Sequence, residues 1–131
     1  MTALELILAR SLVSSLELAA VLFDAELSIV FFNEAAGELV GARFEETGPM
    51  AQADWQARFG PLDTDGRPVP ADELALVAAL RDGRPAHARL RVRLGERERP
   101  LEASGLPLVG PRGYQGALVV LWPPDAPAGT A

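Results

Sequence analysis

Apolar residues recur at helical spacing along the first seventeen positions: Leu4, Leu8, Leu12 and Leu16 stand four apart, with Ile7 and Val13 widening the stripe. This pattern predicts an amphipathic helix over 3–17, whose apolar side packs either on its own domain or on a second copy of the chain. Two short β-prone runs follow, "AAVLFD" at 19–24 and "SIVFF" at 28–32. Ala25, Glu26 and Leu27 join them and Asp24 is placed to start a turn, so a hairpin is expected. Asn33 stands directly after the second run. Its side chain can accept a backbone N–H of the next turn, which begins a helix where the strand stops. The helix is "EAAGELV", kept small on one side by Ala35 and Ala36 and ended by Gly41, which can take the left-handed conformation.

Residues 42–71 carry Phe44, Trp55 and Phe59 among turn-forming glycines and prolines, and predict short helical turns and loops. The stretch "DTDGRPVP" marks a tight turn. In "ADELALVAALRDG", Leu74, Val77 and Leu80 lie three apart, Asp72 is the expected N-cap and Gly83 the stop, so a further helix is expected there. The period then changes to two. Leu90, Val92 and Leu94 alternate with Arg89, Arg91 and Arg93, as in a half-buried strand. "RPLEASGLPLV" and "GYQGALVVLW" continue as two more strands about the turn "GPRG" at 110–113, which makes a three-stranded meander. The run "ALVVLW" is apolar at every position and predicts a central strand covered on both faces. Glu102 is placed to pair across the strands with one of the arginines.

Composition narrows the chemistry. The chain has 131 residues, enough for one domain with a modest core. It is 49% hydrophobic and 23% charged, with a mean hydropathy of +0.14, which excludes a wholly disordered chain. Its formal charge is −6, and all 12 of its basic Lys or Arg residues are arginine. An acidic chain of this kind is a poor partner for nucleic acid. The lack of lysine, consistent with the codon usage of a GC-rich genome, excludes Schiff-base and lysine-nucleophile chemistry. There is no cysteine, so disulfides, thiolate metal sites and cysteine nucleophiles are excluded. Glu5, Arg10 and Glu17 interrupt the apolar start, which therefore reads neither as a membrane span nor as a signal peptide, and a cytoplasmic setting is expected.

The order of helix, two strands, short helices, one longer helix and three strands ending in a two-sided central strand resembles a PAS domain. Three pieces carry the resemblance: "IVFFNEAAGELVG" with Asp24 before it, the D-G-x-P turn and helix of "DTDGRPVPADELALVAALRDG", and the hairpin of "RPLEASGLPLVGPRGYQGALVVLW". The likeness spans about residues 17–122 and implies an α+β fold. It implies a five-stranded antiparallel sheet in the order 2-1-5-4-3, with small helices over one face forming a pocket. The expected organisation is an amphipathic helix over 1–18, the PAS domain over 19–122 and a disordered tail over 123–131.

The resemblance further implies a signalling module, one that senses a small molecule or mediates protein contact and dimerisation in a bacterial pathway. Pocket-lining candidates are Phe32, Phe44, Trp55, Phe59, Leu90, Val92, Leu118 and Val120, with Asn33, Gln115 or Ser104 supplying polar atoms at the edge. The alternative is that these side chains simply fill the core, with Asn33 a structural cap. Leu4, Leu8, Leu12 and Leu16, with the outer sheet face, are the candidate homodimer interface. An unidentified effector is the second expected partner. No ligand is named by the sequence, and covalent flavin or chromophore attachment needs a cysteine that is absent. Haem is not expected, because the helix before the third strand carries no histidine and the sole His87 falls at the start of that strand. Noncovalent flavin has no visible signature. The arginine run from Arg84 to Arg99 reads as a solvated strand face or as a surface for an acidic partner.

Two alternatives of other kinds stand beside this reading. One is a ligand-free dimerisation scaffold, or a PAS fragment of a histidine kinase. "LWPPDAPAGTA" breaks the helical linker expected before a kinase, and Met1 favours a protein that acts on a separate effector. The other is a small enzyme of the ketosteroid-isomerase kind, which calls for a pocket carboxylate and a tyrosine donor. The only tyrosine, Tyr114, follows Gly113 in a turn, no triad or metal cluster is spaced for chemistry, and catalysis is not expected.

Overall fold

The computed structural model describes residues 4–124, and side chains from Leu6 onward. The expectation for the tail falls, from residue 125, outside the described residues, as does the side chain of Leu4. The elements are helix α1 (Leu4–Ser14), strands β1 (Ala19–Asp24) and β2 (Ile29–Phe32), and helices α2 (Glu34–Val40), α3 (Phe44–Thr47) and α4 (Gln52–Phe59). A 3-10 turn (Ala71–Glu73), helix α5 (Ala75–Arg81) and strands β3 (Ala86–Leu94), β4 (Arg97–Gly110) and β5 (Gly113–Trp122) complete the chain.

The five strands form one antiparallel sheet in the order β2-β1-β5-β4-β3. The all-apolar β5 takes the centre, where both faces are covered, and the arginine-bearing β3 takes an edge. Because side chains alternate across a strand, each face has its own set. Ala19, Val21 and Phe23 of β1, with Ala117, Val119 and Leu121 of β5, face helices α2 to α5. Ala20 and Leu22, with Leu118 and Val120, face α1.

Helix α1 covers that second face through Leu6, Ala9 and Val13, which are buried on Leu22, Ala20 and Leu118. The four-residue leucine stripe does not lie on the sheet as a unit. A step of four residues overshoots one helical turn by about 40°, so the stripe winds around the helix rather than running along it. Leu16 reaches the sheet beside Val13, whereas Leu8 and Leu12 remain 62% and 55% exposed. The small Ala9 lets the helix approach closely along a different line.

Asn33 caps α2 as expected. Its Oδ1 accepts the Ala36 N–H at 2.9 Å, and Gly41 ends the helix at φ 75°. The other capping expectation is corrected: Asp72 lies inside the 3-10 turn, and Leu74 precedes α5 with no side-chain cap. Pro70 starts that tighter turn before the helix begins, and Asp72 instead accepts a hydrogen bond from Gln52 Nε2 at 2.9 Å. Among the described residues no helix is long and apolar enough to cross a membrane.

Candidate functional site

Between the sheet and the short helices lies an apolar pocket of about 140 Å³. Its floor is the inward face of the sheet: Val21 and Phe23, Ala117, Val119 and Leu121, Leu101, and Leu90, Val92 and Leu94. Trp55 and Phe59 of α4, Leu27 of the β1–β2 turn, Ala71 and Leu74, and Leu76, Val77 and Leu80 close the opposite side.

Polar contacts hold this roof in place. Asp24 Oδ1 accepts the N–H groups of Glu26 and Ser28 at 2.9 and 3.0 Å, which shapes the turn as Asp24 was expected to do. That turn puts Leu27 at φ 65°, a left-handed conformation that leucine rarely adopts, with its side chain buried against Ala71 and Val77. The Leu27 carbonyl accepts the Trp55 Nε1–H at 2.7 Å, and the indole meets the Phe23 ring edge-on at 5.5 Å. Gln56 Oε1 accepts the Ala71 N–H at 3.1 Å, tying α4 to the 3-10 turn.

The residues proposed from sequence divide into three places. Trp55, Phe59, Leu90 and Val92 line the pocket. Phe32, Asn33 and Phe44 sit at a separate cleft of about 710 Å³ beside α2 and α3, where Phe44 meets Phe31 and Phe32 edge-on at 5.0 and 5.4 Å. Arg10 of α1 stacks over Phe31 there, its guanidinium carbon 4.6 Å from the ring centroid. Leu118 and Val120 do not face the pocket at all, since they lie on the opposite side of the sheet under α1. Leu118 and Val120 point toward α1 and away from helices α2 to α5, and Val119 and Leu121 occupy the places they were expected to hold.

Asn33 does more than cap. It is buried, its Oδ1 also accepts the Ala20 N–H at 3.1 Å, and its amide donates to the carbonyls of Val13, Leu16 and Leu18. Gln115 donates weakly to the Gly113 carbonyl at 3.4 Å. Ser104 is on the outer sheet face, where its hydroxyl lies 2.9 Å from His87 Nδ1.

No charged side chain is among the residues that line the apolar pocket. On the outer face of β3 and β4, Arg89 Nε and His87 Nε2 each stand 3.2 Å from a Glu102 oxygen, and Arg91 lies 3.8 Å from Glu98. The Arg89 hydrogen bond, reinforced by that of His87, holds the Glu102 carboxyl below its ordinary value. Arg89 and Arg91, two of the five arginines on β3 and β4, are therefore paired within their own sheet. Tyr114 packs at the side of the core formed by Leu76, Leu80 and Val119. Burial pushes its phenol upward, and its buried hydroxyl meets no hydrogen-bond partner among the described residues.

No protein-family model and no curated protein matches the chain. Solved structures do. The PAS domain of nitrogen regulation protein NR(II) from Vibrio parahaemolyticus aligns with a TM-score of 0.63 at 19% identity, over 93% of this chain and 99% of that one. The PAS domain of BvgS from Bordetella pertussis aligns at 0.59 and 13% identity, over 96% and 90% of the two chains. The light-state dimer of the fungal blue-light photoreceptor Vivid aligns at 0.55 and 14% identity, over 80% and 76%. Such identities speak to architecture alone, and the architecture aligns over nine-tenths or more of both chains for the first two structures. The chain is folded as a PAS domain.

Proposed function

We propose that the protein is a sensory module of signal transduction that works by protein contact, as a homodimer, with the apolar pocket as the seat of a small-molecule signal. One observation carries this reading: the central strand β5 links the pocket to an uncovered apolar surface. Val119 lines the pocket, while its chain neighbour Leu118 packs beneath Val13 of α1. A ligand that shifts Val119 therefore shifts the bed of α1. That helix presents Ile7, Leu8 and Leu12 to solvent, and Leu106 is exposed beside Leu118 in the sheet. Large apolar side chains left exposed along a helix are the material of a contact surface, and a second copy of the same helix is a self-complementary occupant.

The similar structures support the reading by their settings, one a nitrogen regulation protein and another a photoreceptor crystallised as a dimer. The pocket geometry argues against the isomerase alternative, because Tyr114 and the carboxylates do not line it. His87 points away from it on the far face of the sheet, and the volume is well below the ~300–1,000 Å³ usual for drug-sized ligands, which disfavours haem and flavin.

Native mass spectrometry with an absorption spectrum tests the proposal. A dimer at micromolar concentration, converted to monomer by Leu8→Glu with Leu12→Glu while the fold persists, is the expected result. A wild-type monomer at tens of micromolar would sink the contact reading. Visible absorbance would replace the apolar seat with a cofactor site.

A further inference from the structure

We infer that the pocket takes one neutral, compact, apolar molecule of about benzene size, such as a single-ring arene or a short hydrocarbon. This rests on the sensory reading above and specifies its ligand. The volume, about 140 Å³, sets the size. An engineered protein cavity of ~150 Å³ lined by Leu, Ile and Phe stays dry and binds benzene or xenon, so the space in this pocket matches one ring, and a fused ring system or a long acyl chain would extend through its open side into solvent.

The lining sets the polarity. No ionisable or hydrogen-bonding side chain is among the lining residues except the Trp55 indole, and its N–H is already committed to the Leu27 carbonyl at 2.7 Å. A carboxylate, amine or hydroxyl entering here would leave water and find no partner, a loss that burial of its apolar part does not offset. The buried hydroxyl of Tyr114 does not line the pocket and cannot serve as that partner. The Phe23 and Trp55 rings, edge-on at 5.5 Å where floor and roof meet, offer an aromatic guest edge and face contacts.

The probes are benzene, toluene, benzoate and xenon, applied to the full chain carrying Trp122→Phe. Trp122 lies beside His87 on the outer face, so its removal leaves Trp55 as the sole tryptophan reporter. Benzene and toluene should each raise the Tm by about 3 °C or more near saturation and change Trp55 emission, while benzoate does neither. Ala117→Leu fills the floor and should abolish both responses. Should that variant not fold, Ala71→Leu fills the same space from the other wall, and a 129Xe NMR shift on the Trp122→Phe protein reads the pocket without any filling change. Benzoate acting as strongly as benzene would overturn the inference, and so would the absence of a response to all of the apolar probes. A dimer without any probe response overturns this inference while keeping the contact reading, whereas a monomer that responds does the reverse.

Discussion

The side-chain amide of Asn33 donates to the Leu18 carbonyl at 2.8 Å, across fifteen positions of sequence. With the Val13 and Leu16 carbonyls on the same amide, and the Ala20 and Ala36 N–H groups on its oxygen, one buried side chain joins the end of α1, the start of β1 and the first turn of α2. A cap alone is worth roughly 0.5–2 kcal/mol, and each buried group left unpaired adds about 1–3 kcal/mol. Asn33→Ala should therefore cost about 3 kcal/mol or more, read as a lower urea midpoint at unchanged slope. Asn33→Asp keeps the acceptor but removes the donor. If the carbonyl contacts matter, it too will destabilise; a cap-only role predicts near wild-type stability.

Gly116 sits in the central strand at φ 149°, and a Cβ there would collide with the Phe23 carbonyl oxygen of β1. Neither backbone can retreat without breaking the β1–β5 pairing. Gly116→Ala should lose about 3 kcal/mol from strain and displacement together. Circular dichroism through thermal unfolding will show it, and a Tm within two or three degrees of wild type would refute the close approach.

Leu27 sets two effects against each other. Its positive φ costs roughly 1–2 kcal/mol that glycine would not pay. Its side chain is only 4% exposed, packed on Ala71, Val77 and Trp55, and truncating such a leucine costs roughly 2–5 kcal/mol. Burial wins, so Leu27→Gly should destabilise by about 2 kcal/mol in chemical denaturation. A stabilised variant would show that the turn, not the side chain, dominates.

Glu102 gives the outer face a pH signature. Arg89, then His87, lowers its folded pKa below the ordinary 4.5. A carboxyl depressed in the folded state contributes stability above its unfolded pKa, and that contribution fades as pH falls through the folded value. Wild type should exceed Glu102→Gln in Tm at pH 6, and the gap should narrow as the pH falls below the ordinary 4.5 and through the lowered folded value. A gap that is constant across this range would assign the difference to packing instead of charge.

The floor of the pocket shows where the sequence is legible and where it is silent. In β3 the arginines mark the solvent side, so Leu90 and Val92 could be assigned to the interior from alternation alone. In β5 every residue from Ala117 to Trp122 is apolar, alternation carries no phase, and Leu118 and Val120 were expected where Val119 and Leu121 stand. A signal for the correct phase did exist one strand away. Glu102 marks the outer side of β4, which leaves Leu101 and Ala103 inside, and Ala103 pairs with Leu121. Using that signal requires the register, which is a property of two strands together. Val21, Phe23, Leu27 and Ala71 were missed for a related reason, since nothing local distinguishes a pocket wall from solid core.

The sequence by itself determined most of the elements and their order, and the sheet order followed from the resemblance to PAS domains that those elements carry. Periodicity, the Asn33 cap, the Gly41 stop and the two-sided apolar run are local consequences of side-chain chemistry, and they agree with one another. Only the tertiary structure decided which face each apolar side chain takes, that Ala9 rather than Leu8 beds α1 on the sheet, and that a space of about 140 Å³ remains between sheet and helices. Those are differences of volume between surfaces far apart in the chain, and no segment carries them alone.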